Sequence, residues 1–447
     1  MYARARPLPT QPAKPLWPWF LLALLVLGLG YWGYRVATQP RDVAVQASAL
    51  KGTPAQNWAA LRAFGPRPVG SEGHDRAVDW LETQFTALGY RVSRQDVTLQ
   101  RPFDLGGSLK AGGAVIPVKA IYGAAGGEQT AKLVRISPQA TLLDLQALPL
   151  QTHIALATCP GLNWKPLTEN VVNAGAFGLV VIDDCPTQRL QKVGATPFPL
   201  VRVDAQHKNQ VLALAGQTVT LKSSVEMRQV TGRNLLAARV NTNPEVLFGA
   251  HLDTVNGSLG ANDNSSGVLA LLEAARQAAG TPLAEQAWFV AFDAEEDGTV
   301  GSRAFVRGFS YPLHNTRVML NFDMVGVNAW PPGEAPLGVA LHPEVLPLAR
   351  KLRPDLHVFE EKANGPKILG RYAPLVGNSD HRFFKEIGVR TVFLHRGEDV
   401  NYHAPSDLTL QPELVQDTAD FAVSLAREVI KAELKVDEPC GIGERDC

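Results

Sequence analysis

The stretch WFVAFDAEEDGTVGS (Trp288–Ser302) is a nearly continuous apolar run that ends abruptly in Glu295 and Glu296, and its reading decides the fold. Neighbours on a strand point to opposite faces, whereas residues just past its end can both turn toward a common point. A charge pair is usually a solvated turn. What the rest of the chain brings to the same place therefore decides what this pair is for.

Working outward, the same texture recurs from Asn234 onward. EVLFGA, AWFVAFD, RVMLNFD and RTVFLH read as strands; SSGVLALLEAARQAA, PEVLPLARKL, DHRFFKEIG and ELVQDTADFAVSLAREVIKAEL read as helices. Strands alternating with helices predict an α/β fold, a mixed, mostly parallel sheet sandwiched by helices. In such sheets ligands bind in the crevice beyond the carboxyl ends of the strands. His251, Leu252 and Asp253 follow the first of these strands, Glu295 and Glu296 the second, and Asp323 the third. GANDNSSG carries Asp263 to the entrance of a helix, and NYHAPSD brings His403.

Each residue alone is weak evidence, since an aspartate at a helix entrance often only caps it. Together, two histidines, two aspartates and a glutamate are five donors for two divalent cations, with one bridging carboxylate. Zinc accepts this nitrogen and oxygen set and keeps positions open when catalytic. Paired ions about 3.5–4 Å apart activate a water and polarise a carbonyl together. A further carboxylate must carry the proton to the leaving amine. One glutamate of the pair is thus expected to bind metal and its neighbour to act as base.

The ordered series HLD, GANDNSSG, EEDGTVGS, NFDMVG, SDHRFF and YHAPSD resembles the di-zinc exopeptidases of metallopeptidase family M28, as do the upstream GPRPVGSEGHDRA and TGRNLLA. The resemblance covers residues 55–100 and 230–432. It implies the zinc-exopeptidase (phosphorylase/hydrolase-like) fold and two Zn2+ ions. It further implies that Asp263 bridges the ions, with His251 and Asp323 completing one site and Glu296 and His403 the other. By the same resemblance Glu295 is the general base, Asp253 fixes the His251 ring, and Tyr402 donates to the substrate carbonyl oxygen. His381 and His395 are rival ligands. Residues 101–228, rich in short apolar runs and glycine, resemble an inserted protease-associated (PA) domain, best at NAGAFGLVVI.

The remaining expectations concern location. Leu16 to Tyr34 holds no charge and is long enough to span a bilayer. Arg4, Arg6 and Lys14 precede it and aromatic residues flank it, which orients the N-terminus to the cytoplasm and exports the rest. The competing reading, a cleaved signal peptide, has no small-x-small site close by, because ASA at Ala47–Ala49 is distant. All four cysteines lie beyond the span and suggest the pairs Cys159–Cys185 and Cys440–Cys447. Lys plus Arg equals Asp plus Glu at 43 each, which excludes a global basic field for nucleic acid.

The expected organisation is a cytoplasmic tail and transmembrane anchor at 1–40, the first part of the peptidase domain at 41–100, the inserted domain at 101–228, the catalytic zinc peptidase domain at 229–435 and a tail at 436–447. The function implied is a membrane-anchored, extracytoplasmic aminopeptidase acting on peptides. Glutaminyl cyclase or carboxypeptidase chemistry and a non-catalytic receptor are the alternatives. A carboxypeptidase needs a cation for the terminal carboxylate, for which Arg371, Arg382 and Arg396 are the candidates.

Overall fold

The structure, a computed structural model, describes residues 52–434 except 162–163, 186–191, 193–195, 240–242, 331–336, 362–366, 369–370 and 373–378. The apolar segment 16–34 and the expected Cys440–Cys447 pair lie outside the described residues. Among those described, no helix is long and apolar enough to cross a membrane.

Strands β8 (Val246–His251), β9 (Ala287–Phe292), β10 (Val318–Phe322) and β15 (Thr391–His395) form the parallel centre of the sheet, in the order β9-β8-β10-β15. The sheet is mixed, as expected. β7 (Thr218–Ala238) runs antiparallel to β9, and β11 (Gly338–Leu341) antiparallel to β15, with the short β12 (His357–Val358) beyond it. Every residue of β8, β9 and β10 is buried, which is why these strands read as unbroken apolar runs rather than alternating ones.

Helices cover both faces. Ser71 caps α2 (Glu72–Ala87), which follows α1 (Pro54–Ala63). Val78, Leu81 and Phe85 of α2 and its C-cap Leu88 recur at helical spacing in the sequence and form a buried stripe. With α4 (Gly267–Ala278) and the long α7 (Pro412–Lys431), it packs on Phe248, Phe289 and Leu320. Phe289 stacks on Phe248 with ring centroids 5.1 Å apart. The intervening residues Leu247, Trp288, Val290 and Met319 face the other way, onto α5 (Val300–Gly308) and α6 (Arg382–Glu386).

The insertion differs from its reading in one respect. The short apolar runs of 101–228 imply short strands. Instead β1 (Arg91–Ala111) and β7 each run 21 residues. They pair from Arg91↔Ala238 to Lys110↔Thr220, as a ribbon that passes out of the central parallel sheet. The turn-like LGG is absorbed as a register shift between Asp104 and Gly107.

Beyond that shift lie β2 (Ala114–Ala120), β3 (Gly127–Arg135), β4 (His153–Ala157), β5 (Gly178–Asp183) and β6 (Leu200–Asp204). The pairing β1-β2-β6-β5-β4-β3-β7 returns to β1 and closes on itself. This closed layer has apolar clusters of its own, one built around Trp164, Leu167 and Val171 of α3 (Lys165–Asn173) and the loop before it, the other around Leu109, Val180 and Leu221. Cys159 and Cys185 form a disulfide within it, with Cα atoms 5.2 Å apart. The hairpin β13 (Lys367–Ile368) and β14 (Arg371–Tyr372) completes the strands.

Candidate active site

Three adjacent parallel strands deliver their C-terminal ends to one edge, so His251 at the end of β8, Glu295 and Glu296 after β9 and Asp323 after β10 converge. Asp263 arrives from the irregular turn Ala261–Ser266, where its backbone is non-helical. It is not a helix cap: the Gly267 N–H at the start of α4 is accepted by Asn264 Oδ1 at 2.9 Å, which leaves Asp263 free for the site. Ala294, Met324 and His403, each at or beside a site residue, have φ of 54°, 54° and 53°. Such left-handed backbone costs roughly 1–3 kcal/mol per non-glycine residue and persists where the surroundings demand it. Here it aims the side chains inward.

His251 Nε2 lies 3.4 Å from Asp263 Oδ1 and 3.6 Å from Asp323 Oδ1. His403 Nε2 lies 3.2 Å from Asp263 Oδ2 and 3.0 Å from Glu296 Oε2. These are two triads of donor atoms, each within 4.8 Å of one another, and they share Asp263. The five residues expected as ligands therefore lie together, His251 and Asp323 on one side of Asp263 and Glu296 and His403 on the other.

The donor set suits divalent cations. Glu296 Oε1 and Asp323 Oδ1 are buried without a hydrogen-bond partner. Burial would lower the pKa of both imidazoles, yet Glu296 and Asp263 carry His403 up to about 11. The carboxylates around His251 likewise raise it well above the ordinary value. Anionic charge thus exceeds what the neutral ligand set can balance, and cations held by it would restore that balance.

Glu295 belongs to neither triad, and burial pushes its carboxyl well above the usual range. Asp253 acts on both sides. Its carboxylate accepts the Glu295 and Glu296 N–H groups, each at 3.1 Å, and its carbonyl oxygen lies 3.2 Å from His251 Nδ1. The ring is steadied more closely by that carbonyl than by the carboxylate, which lies 3.5 Å away. The Tyr402 ring stacks on His403 with centroids 3.8 Å apart, and burial raises its hydroxyl pKa.

The rival histidines stand elsewhere. His395 Nδ1 is 2.8 Å from the Asp323 carbonyl oxygen. His381 Nε2 is 2.7 Å from Glu361 Oε1, and its ring stacks on Phe393. Of the candidate cations, Arg396 is buried on Asp417, Thr418 and Asn328, and Arg382 pairs with Glu386. The Arg371 side chain lies outside the described residues.

Sequence reading missed the residues that brace this edge, although their motifs were visible. The Arg67 of GPRPVG is fully buried and donates to Leu252 O, Leu259 O and Ser265 Oγ, tying the HLD and GANDNSSG loops together. His74 of SEGH lies 2.7 Å from Asp293 Oδ2, beneath the glutamate pair. Asp407, the last residue of YHAPSD, accepts the Asn262 and Asp263 N–H groups at 2.9 and 3.0 Å. Asn262 donates to Asp399 at 2.6 Å and accepts from the Gly326 N–H. Gly301 lets α5 approach, since a Cβ there would meet Asp293 O at 2.1 Å. A cleft of about 490 Å³ opens onto Glu296 and His403, with Arg101, Tyr122 and Lys192 from the other side in its wall.

The sequence is 26% identical over 430 residues to the aminopeptidase YwaD of Bacillus subtilis, covering 90% of this chain and 89% of that one. It is 28% identical over 278 residues to a probable lipoprotein aminopeptidase, LpqL, of Mycobacterium tuberculosis, covering 58% of this chain and 55% of that protein. In fold it is similar to the structure of BSAP, a zinc aminopeptidase from Bacillus subtilis, with a TM-score of 0.69 at 22% identity over 84% of this chain and 95% of that one. The profile of peptidase family M28 matches residues 234–426, a span that contains all five donor residues and Glu295. Over that segment the chain is similar to peptidase family M28.

Proposed function

We propose that this protein is a zinc-dependent aminopeptidase that removes N-terminal residues from peptides, with its catalytic part anchored outside the cytoplasm by residues 16–34. The observation that carries the chemistry is the pair of donor triads sharing Asp263, with Glu295 beside them but in neither. His251, Asp263 and Asp323 would hold one zinc ion, and Glu296 and His403, with Asp263, the other. Bound there, the ions supply a water of lowered pKa and polarise the scissile carbonyl.

The chain's own groups do the rest. Glu295 accepts the water's proton and delivers it to the leaving amine. Asp253 fixes the backbone of the glutamate pair and the His251 ring, and Tyr402 donates to the carbonyl oxygen. The YwaD and LpqL likenesses support action at the amino end, as does the engagement of Arg396 and Arg382 with other partners. The Cys159–Cys185 disulfide supports an oxidising, extracytoplasmic setting. The closed layer with its own apolar clusters supports a PA-like domain at 101–228.

The test is a substrate panel with metal analysis. Unblocked aminoacyl arylamides and peptides should lose their first residue, N-acetylated ones should not, and a chelator should abolish turnover until zinc is restored. Release from the carboxyl end, cyclisation of N-terminal glutamine, or metal binding without turnover of any substrate overturns the reading.

A further inference from the structure

The loop Glu295–Asp297 is held from two sides. From the sheet, Asp253 takes the Glu295 and Glu296 N–H groups. From the insertion, two side chains reach the last two of these residues, Glu296 and Asp297. The Tyr122 hydroxyl donates to Asp297 Oδ1. Lys192 Nζ donates to the Glu296 carbonyl oxygen at 2.5 Å and lies 6.0 Å from the Tyr122 ring centroid. Tyr122 and Lys192 are also bridged backbone to backbone, so they move as one edge. Arg101, midway along the ribbon, closes the arrangement: its Nε lies 3.2 Å from the Tyr122 hydroxyl and 3.3 Å from Asp297 Oδ2, and its Nη1 donates to Val69 O at 3.1 Å. The Arg101 and Asp297 side chains are 7% and 6% exposed. This is a buried charge pair in the cleft wall, not a surface contact.

We infer that Tyr122 and Lys192 are positioning residues for the reaction: the insertion, which supplies no ligand, fixes the loop that carries the ligand Glu296 and the base Glu295. The inference rests on the ligand roles proposed above. A carboxylate that binds metal has its orientation set by what holds its backbone, and groups behind a ligand typically contribute ten- to a hundredfold in metal affinity or activity. The grip falls on Glu296 and its neighbour. His251 and Asp323, which define the other triad, receive none of it. Loss of the grip should therefore act on one metal position and not on both.

The test is competitive zinc titration of the metal-stripped full-length protein, in wild type and in Tyr122→Phe, which keeps the ring and removes only the hydroxyl. One of the two zinc ions should bind about ten- to a hundredfold more weakly while the other keeps its affinity. The kcat for a small aminoacyl arylamide should fall with KM unchanged. Lys192→Met, at an exposed position that tolerates substitution, should shift the same zinc in the same direction by less. Leu143→Ala, 77% exposed on the insertion, is the control and should change nothing. Equal weakening of both ions would mean general loosening, and unchanged affinities would mean no grip; either result overturns the inference. Because the titration needs no turnover, it stays readable even if the aminopeptidase assignment fails.

Discussion

The edge of the catalytic sheet and the inserted layer are both built from buried parallel strands, yet only one of them carries chemistry. In the catalytic sheet, β8, β9 and β10 each end in an acid or imidazole, and the polar residues beyond them are tied down by Arg67, Asp253 and Asp407. In the insertion, β4, β5 and β6 are equally apolar, but their ends carry residues already committed to structure. Asp183 pairs with Arg202, and Asp184 with Lys208 and the Cys159 N–H. The two regions differ in whether the polar groups at the strand ends converge. At the catalytic edge they gather as two donor triads sharing Asp263, whereas in the insertion each acid is paired with a cation of its own.

The largest expected effect is at the catalytic edge. Glu295→Gln keeps the shape of the side chain and removes the proton acceptor, so kcat should fall by about 10²–10⁴-fold with both zinc ions retained. Metal content measured beside the steady-state rate decides the matter. Loss of an ion together with the activity would exchange the roles of Glu295 and Glu296.

The same contrast governs what was legible in advance. The parallel sheet, the stripe of α2 and the five donors could be read because several unbroken apolar strands, each ending in Asp, Glu or His, rarely arise from packing needs alone. Arg67, His74 and Asp407 lie in visible motifs, yet nothing local gives them a task, because their work is to bond groups far away in the sequence. Arg67 bonds to residues 185 to 198 positions distant. Local pattern contains no trace of such partners. The 21-residue ribbon was illegible for a different reason: its middle, RPFDLGG, has turn-forming composition, and only pairing with β7 keeps it extended. The contacts of Tyr122 with Asp297 and of Lys192 with Glu296 join residues that no spacing rule connects.

A smaller effect should follow at Asp407, and it sharpens the comparison with the insertion. Its carboxylate accepts both the Asn262 and Asp263 N–H groups. Asp407→Asn replaces one of the two accepting oxygens with a donor and should weaken metal binding about ten- to a hundredfold. Because Asp263 is shared by both triads, both zinc affinities should fall, in contrast to the single affinity expected to fall in Tyr122→Phe. An Asp407→Asn protein with only one weakened site would show that Asp263 does not bridge.

The smallest effect on catalysis should come from the disulfide. Cys159 and Cys185 are 26 positions apart, and both ends of the loop they close lie within the insertion. Closing a loop of that length stabilises by about 3.5 kcal/mol in the chain-entropy model. Trp164 and the helix it precedes sit inside the loop and contribute to one of the insertion's own clusters. The Cys159→Ala/Cys185→Ala protein should therefore lose amide protection first in β4, β5 and β6, while β8, β9 and β10 exchange as slowly as before. Peptide KM should rise, since the insertion walls the cleft, and kcat for a small aminoacyl arylamide should change least. Hydrogen exchange with peptide-level resolution tests this directly. The ribbon of β1 and β7 is the only continuous sheet pairing between the two regions among the described residues, so beside the Tyr122 and Lys192 contacts it is a path along which loosening would travel. If β8 to β10 lose protection in step with β4 to β6, the two regions unfold as one cooperative unit and the insertion is not a separate domain.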